Sequence, residues 1–268
     1  MGSTPGDSVF PKGNPSQSRK NTTTTAVDPR VNCIAHRGFA DTYPENTLTA
    51  IRRALEAGAD GVEVDVRRCG SGEPVVIHDE TVDRVTDRSG AVSALSRSEL
   101  ADCSVLGTGD GVPTLDAVCE ALPADVRLHL ELKEVGVAAD AVVLAADYPF
   151  GLLVSSFEPA ALEAAADVGD VPLAYLFGSG RDLPLVSRLQ SDPDATLATA
   201  RDLGCAAVNP HWSHCDAAFV ERAHSVGFAV NAWTVRSQDT ADTLAAAGVD
   251  GLISDAPEVC HARPRNAL

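Results

Sequence analysis

Two histidines, two cationic side chains and a set of carboxylates stand at the ends of short apolar runs. His36 and Arg37 follow Val31-Asn32-Cys33-Ile34-Ala35, and His78 and Asp79 follow Val75-Val76-Ile77. Glu63 and Asp65 alternate with valines, and Glu131 and Lys133 alternate with leucines. Histidine titrates near neutrality, so a pair can supply one general base and one general acid. Residues two apart on a strand share a face, which turns Glu63 and Asp65 to one side and His129, Glu131 and Lys133 to one side. Gathered carboxylates are costly without a cation. An all-oxygen set of Glu63, Asp65 and Glu131 suits a hard divalent cation, Mg²⁺ or Ca²⁺, better than zinc. Arg37 and Lys133 bring positive charge beside it, and arginine can grip a phosphate with two parallel hydrogen bonds. Lysine occurs only at Lys12, Lys20 and Lys133, so its use beside Glu131 points to a specific role, with a plain Glu–Lys pair as the alternative. Cation, arginine, lysine and two histidines together describe phosphate-ester hydrolysis, a reaction very slow without such help.

The elements that must position these groups alternate regularly. Strands are expected at 31–35, 61–67, 74–77, 127–133, 152–155, 173–176, 206–209, 229–235 and 251–254. Helices are expected at 47–57, 114–122, 137–146, 158–167, 196–203, 216–226 and 238–247, with a short closing helix from Pro257. Asn46 is read as the cap of the first helix and Gly58 as its stop. Residues 80–112 lack this rhythm and read as an insertion, with a short helical stretch at 96–100; residues 181–191 read as irregular. About eight alternating strands imply a parallel (β/α) TIM barrel, whose usual length of about 250 residues fits the 268 present. In such barrels the chemistry lies at the C-terminal strand ends, where His36, Glu63, Asp65, His78, Glu131, Lys133, Asn209 and Trp233 all fall.

Composition narrows the class. A net charge of −17 argues against nucleic-acid partners, because a polyanion would be repelled. The acidic, lysine-poor composition fits a salt-rich cytoplasm or a GC-rich genome equally well. Seven cysteines without a C-x-x-C pair read as free thiols in a reducing, cytoplasmic compartment. No apolar run is long enough to span a bilayer, so no integral membrane segment is expected. Residues 1–30 are rich in Ser, Thr, Pro and Gly and read as a disordered tail, leaving 31–262 as the domain. No residue pattern specifies an oligomeric state.

The chain resembles the glycerophosphodiester phosphodiesterases along most of its length. His36-Arg37-Gly38 and Pro44-Glu45-Asn46-Thr47 are similar to the family's opening motif. Gly58 to Val66, followed by Val75 to Asp79, is similar to its second block. Arg84 and Thr86, Val112 to Leu115, Glu131-Leu132-Lys133, Ser156-Phe157, Trp233-Thr234-Val235 and Gly248 to Gly251 follow in order. The resemblance implies a barrel with a small insertion after the second histidine. It implies His36 and His78 as the acid–base pair, Glu63, Asp65 and Glu131 as metal ligands, and Arg37 and Lys133 on the phosphate. Glu45 would sit in the site, and Trp233 would pack against the glycerol or simply within the barrel. The products would be an alcohol and sn-glycerol 3-phosphate.

Three departures stand out. Cys69 and Ser71 replace the usual turn residues, and His129 stands where a small polar residue is commoner; it would tune the metal shell or simply pack. His211 and His214 form an H-x-x-H read as surface, because zinc would need further ligands. Alternative readings keep the same site but change the substrate to a lysophospholipid or a cyclic phosphodiester. Others give a phosphate-binding barrel without turnover or, remotely, a metal-dependent sugar isomerase.

Overall fold

The computed structural model describes residues 1–2, 31–178 and 192–261. The expectations for a disordered tail and for an irregular stretch at 181–191 therefore fall almost wholly outside the described residues.

Eight parallel strands close into a barrel. They are β1 (Asn32–His36), β2 (Gly61–Arg68), β4 (Arg127–Leu132), β5 (Gly151–Ser156), β6 (Leu173–Phe177), β7 (Ala207–Pro210), β8 (Ala229–Val235) and β9 (Gly251–Ser254). The ring closes where β1 pairs with both β2 and β9. The ninth strand, β3 (Pro74–Val76), is antiparallel to β2 and lies outside the ring, with Val66 opposite Val76. A parallel neighbour would need a long crossover, and the few residues between β2 and β3 allow only a hairpin.

Alternation along the strands decides what faces where. Val62, Val64 and Val66 of β2 and Leu128, Leu130 and Leu132 of β4 join one large core between sheet and helices. Around it lie α1 (Leu48–Glu56), α3 (Leu115–Ala121), α4 (Ala138–Ala146), α5 (Pro159–Ala166), α6 (Pro193–Asp202), α7 (Ala217–Ser225) and α8 (Gln238–Ala247). Alanine lines several buried helix faces, as at Ala138, Ala141 and Ala145 of α4 and Ala161 and Ala165 of α5, which permits close approach. Inside the ring the filling is small or polar: Leu153, Ala174 and Ala207 form a separate cluster, and His129, Asn209 and Asn231 are buried. Gly61 makes room there, since a Cβ would sit 2.8 Å from the Arg127 carbonyl oxygen.

The stretch between β3 and α3 has its own core. Val82, Val85, Val92, Leu100, Val105 and Val112 pack with Cys69, Val75 and Ile77 of the β2–β3 hairpin. Its one α-helix, α2 (Arg97–Ala101), starts with a reciprocal capping box of Ser96 and Glu99.

Two local readings are corrected. The cap of α1 is Thr47, whose hydroxyl accepts from the Ala50 amide, and not Asn46. Asn46 adopts φ of 58° and turns its side chain inward instead. Cys33 is disulfide-bonded, against the expectation of free thiols throughout, whereas Cys69, Cys103, Cys119, Cys205 and Cys215 are free. Spacing alone could not show this, because disulfide pairing depends on which chain ends the fold brings together.

Leu130 is fully buried between sheet and helices. Leu130→Ala should lower stability by about 2–5 kcal/mol, measured by urea unfolding, while activity per folded molecule stays near that of the parent.

Candidate active site

The C-terminal mouth of the barrel collects the charged groups. Glu63 and Asp65 come from β2 and Glu131 from β4, with Asp65 directly opposite Glu131 in register. One carboxylate oxygen from each of Glu63, Asp65 and Glu131 lies within 4.8 Å of the others, and all three residues are buried.

Each carboxylate is partly answered by the protein. Arg37 Nε lies 3.0 Å from Asp65 Oδ2, and Lys133 Nζ lies 3.3 Å from Asp65 Oδ1 and 2.5 Å from Glu131 Oε1. The Arg37 amide donates to Glu63 Oε2 at 3.0 Å. Asn46 donates from Nδ2 to Asp65 Oδ2 at 2.8 Å, which explains its inward turn. Even so, Glu63 Oε1 and Asp65 Oδ1 are buried without a hydrogen bond, the Lys133 contact to Asp65 being an ion pair only. Buried orphan carboxylate oxygens in a three-carboxylate cluster fit a hard divalent cation, which would supply the missing charge.

The electrostatics agree. Burial, then the charge of Asp65, pushes Glu63 up to about 8. Burial would also raise Asp65, but Arg37 and Lys133 outweigh it and hold that carboxyl well below its ordinary value. Burial would lower Arg37 and Lys133, yet Asp65 leads the carboxylates that raise Arg37, and Glu131 and Asp65 raise Lys133. Buried carboxylates crowded together do not all ionise cheaply, and the rise at Glu63 is where that cost shows.

The two histidines flank this cluster. His36 Nε2 lies 3.8 Å from Glu63 Oε2, while its Nδ1 lies 2.5 Å from Asp255 Oδ1. His78 Nδ1 lies 2.6 Å from Asp79 Oδ1. Burial and Arg37 push His36 down, but Glu63 and Asp255 raise it overall; burial keeps His78 below its ordinary value despite Asp65.

The turn after β1 is tightly constrained. Arg37, Gly38 and Phe39 take φ of 50°, 79° and 68° in succession. A Cβ on Gly38 would lie 2.7 Å from the Ala50 Cβ and 2.8 Å from its carbonyl carbon, so glycine lets this turn pack on α1. Glu45, in the same loop, accepts from Arg37 at 3.1 Å and from both terminal nitrogens of Arg84 at 2.7 and 2.8 Å. Arg84, from the stretch after β3, also donates to Asp79 Oδ2 at 2.5 Å. That stretch is thereby tied to both the Arg37 loop and His78.

The remaining sequence candidates also have places. Trp233 donates from its indole nitrogen to the Asn209 carbonyl at 2.8 Å and meets Phe157 and His211 edge to face at 5.4 and 5.3 Å. His129 lies two residues before Glu131 on β4, buried with Nδ1 unpartnered; burial and Arg127 push it down to about 3, so it stays neutral. His211 bonds to Ser213, and neither it nor His214 belongs to a ligand cluster among the described residues. Sequence reasoning missed the Asn46 contact to Asp65 and missed Asp255 altogether. The first carried a faint signal, an asparagine before a helix whose Thr47 can cap; the second carried none, being 219 residues from His36.

A closed parallel barrel that gathers two histidines, three carboxylates, an arginine and a lysine at its strand ends has the make-up of a hydrolase acting on phosphate esters. Residues 36–259 match the model of the glycerophosphoryl diester phosphodiesterase family, and the chain belongs to that family. It is 30% identical over 240 residues to a glycerophosphodiester phosphodiesterase of Caldanaerobacter subterraneus subsp. tengcongensis, covering 84% of this chain and 94% of that one. It is also 30% identical over 238 residues to a putative glycerophosphodiester phosphodiesterase, YhdW, of Bacillus subtilis, with the same coverage. Among solved structures, an Oleispira antarctica phosphodiesterase in complex with its product sn-glycerol-3-phosphate superposes with a TM-score of 0.74. Its identity is 28%, over 85% of this chain and 94% of that one.

The raised Glu63 carboxyl has a measurable consequence. Between its unfolded value, near 4.5, and about 8, the cation-free folded state holds a proton that the unfolded chain releases, so stability falls as pH rises through this window. Glu63→Gln should remove that loss. In EDTA, its thermal midpoint should exceed the parent's by a few degrees at about pH 8 but not at about pH 5. Addition of Mg²⁺ or Ca²⁺ should stabilise the parent and leave the variant unmoved.

Proposed function

We propose that the protein hydrolyses glycerophosphodiesters to an alcohol and sn-glycerol 3-phosphate, with His36 and His78 as the acid–base pair. The observation that carries this reading is the buried, incompletely satisfied cluster of Glu63, Asp65 and Glu131 between the two histidines. These three residues would hold a divalent cation, Mg²⁺ or Ca²⁺, which supplies charge to the phosphoryl oxygens as they become more negative.

The protein's own groups do the rest. Arg37 pairs with Asp65, and Lys133 with Asp65 and Glu131. Release of some of that charge would let both contact a phosphodiester oxygen. Glu45 holds the Arg37 guanidinium from one side and is itself held by Arg84. His36 and His78 move the protons between nucleophile and leaving alcohol. Trp233, fixed by its bond to Asn209, offers a flat apolar face for the glycerol carbons. Residues 31–262 then act as one catalytic domain, with 80–112 as an insertion joined to the mouth through Arg84.

Among the described residues no helix is long and apolar enough to cross a membrane. Among the described residues, the free thiols of Cys69, Cys103, Cys119, Cys205 and Cys215 favour a reducing compartment, and hence the cytoplasm, whereas the disulfide-bonded Cys33 does not.

The test is release of glycerol 3-phosphate from glycerophosphocholine and glycerophosphoethanolamine. EDTA should abolish it, and Mg²⁺ or Ca²⁺ should restore it. His36→Ala and His78→Ala should each lose about 10²–10⁴-fold in kcat/KM with the fold intact by circular dichroism. Full activity in either variant would remove that histidine from the chemistry. Ligand-induced stabilisation without any turnover would instead mark a binding protein.

A further inference from the structure

The two histidines are anchored by the same device. At His36, Asp255 Oδ1 lies 2.5 Å from Nδ1 and Arg236 lies 2.6 Å from Asp255 Oδ2. At His78, Asp79 Oδ1 lies 2.6 Å from Nδ1 and Arg84 lies 2.5 Å from Asp79 Oδ2. Each is an arginine–aspartate–histidine chain that engages Nδ1 and leaves Nε2 over. The Asp79 anchor is adjacent in sequence to its histidine. The Asp255 anchor is not: it follows the last barrel strand, and the pairing of Ala35 with Ser254 brings it beside His36.

Asp255 is 1% exposed. Burial alone would raise its carboxyl, but the bond to His36 and the charge of Arg236 keep it lowered, so it is ionised. An ionised carboxylate can only accept, so the Nδ1 it touches must carry the hydrogen. In the neutral ring the lone pair is then confined to Nε2, the atom that faces Glu63 at 3.8 Å. A buried charge also blocks the ring flip that would exchange Nδ1 with Cδ2 and Nε2 with Cε1, since the flip would leave the carboxylate facing a carbon.

We propose that Asp255 is a positioning residue for the hydrolysis: it fixes His36 in the Nδ1–H tautomer and aims Nε2 at the phosphodiester. The role rests on the reading of His36 as a proton-transfer group, and Asp255 itself touches neither substrate nor cation.

The test uses the cation-loaded full-length protein and two readouts. Asp255→Asn keeps size and burial but can offer either an oxygen or an amide to Nδ1, so it no longer dictates the tautomer. Its kcat should fall about 10–100-fold, the usual cost of removing such an orienting partner. KM should stay within about threefold, as expected when alignment rather than binding is lost. Long-range ¹H–¹⁵N spectra, recorded above the titration of the ring, should show His36 of the parent as a single Nδ1–H species and that of Asp255→Asn as a mixture. Unchanged kcat in the variant would overturn the proposal. So would a fall in kcat with the tautomer unmoved, which is the mark of a merely structural ion pair. The spectrum of the parent decides the matter even if the variant does not fold, because an Nε2–H ring there is incompatible with Asp255 as anchor. Should His36→Ala prove fully active, the proton-transfer reading fails separately, and the spectra still report whether Asp255 holds the ring.

Discussion

Three carboxylates buried side by side are the constraint around which this molecule is arranged. Each would be better solvated outside, and each repels the other two. The surrounding residues read as responses to that cost. Arg37 and Lys133 are carried in on strand ends, Asn46 is bent into left-handed backbone to reach Asp65, and the Arg37 amide is aimed at Glu63. The responses stop short, leaving Glu63 Oε1 and Asp65 Oδ1 without hydrogen bonds. A cluster built for stability alone would be completed or replaced by apolar groups. One left incomplete at the mouth of a barrel retains an affinity for positive charge, which is what a phosphodiesterase requires.

Much of this was legible in the chain because strands write their faces every second residue. The Glu63/Asp65 and Glu131/Lys133 pairs could be placed inward from valine and leucine alternation alone, and the barrel followed from the strand–helix rhythm. What could not be read depended on contacts between distant segments. Asp255 meets His36 only through the closing pair of strands, and the Cys33 disulfide is likewise a product of the folded chain. Asn46 was misread because a residue before a helix is ordinarily a cap, and here Thr47 takes that part while a buried aspartate claims the asparagine. The short strand β3 counted as a ninth in the rhythm; only its antiparallel pairing removes it from the ring.

The stretch after β3 shows how an addition to a barrel can become part of its working end. Its hydrophobic cluster stands apart from the main core, so it packs as a small unit on the β2–β3 hairpin. A strong link to the centre is Arg84, half exposed, which joins Glu45 to Asp79. Through those two carboxylates the outer unit touches the loop carrying Arg37 and the anchor of His78. It is thus linked to both sides of the candidate site, although none of its own residues lies among the three clustered carboxylates.

The seam between the first and last strands has a consequence for how the molecule comes into being. His36 ends the first strand of the barrel ring in chain order, and Asp255 follows the last. A nascent chain can therefore fold several strands and still lack an ordered first histidine until β9 docks. The anchoring of His36 and topological closure arrive in the same event. A barrel that lacks its last strand would therefore leave His36 without its carboxylate partner as well as leaving the ring open.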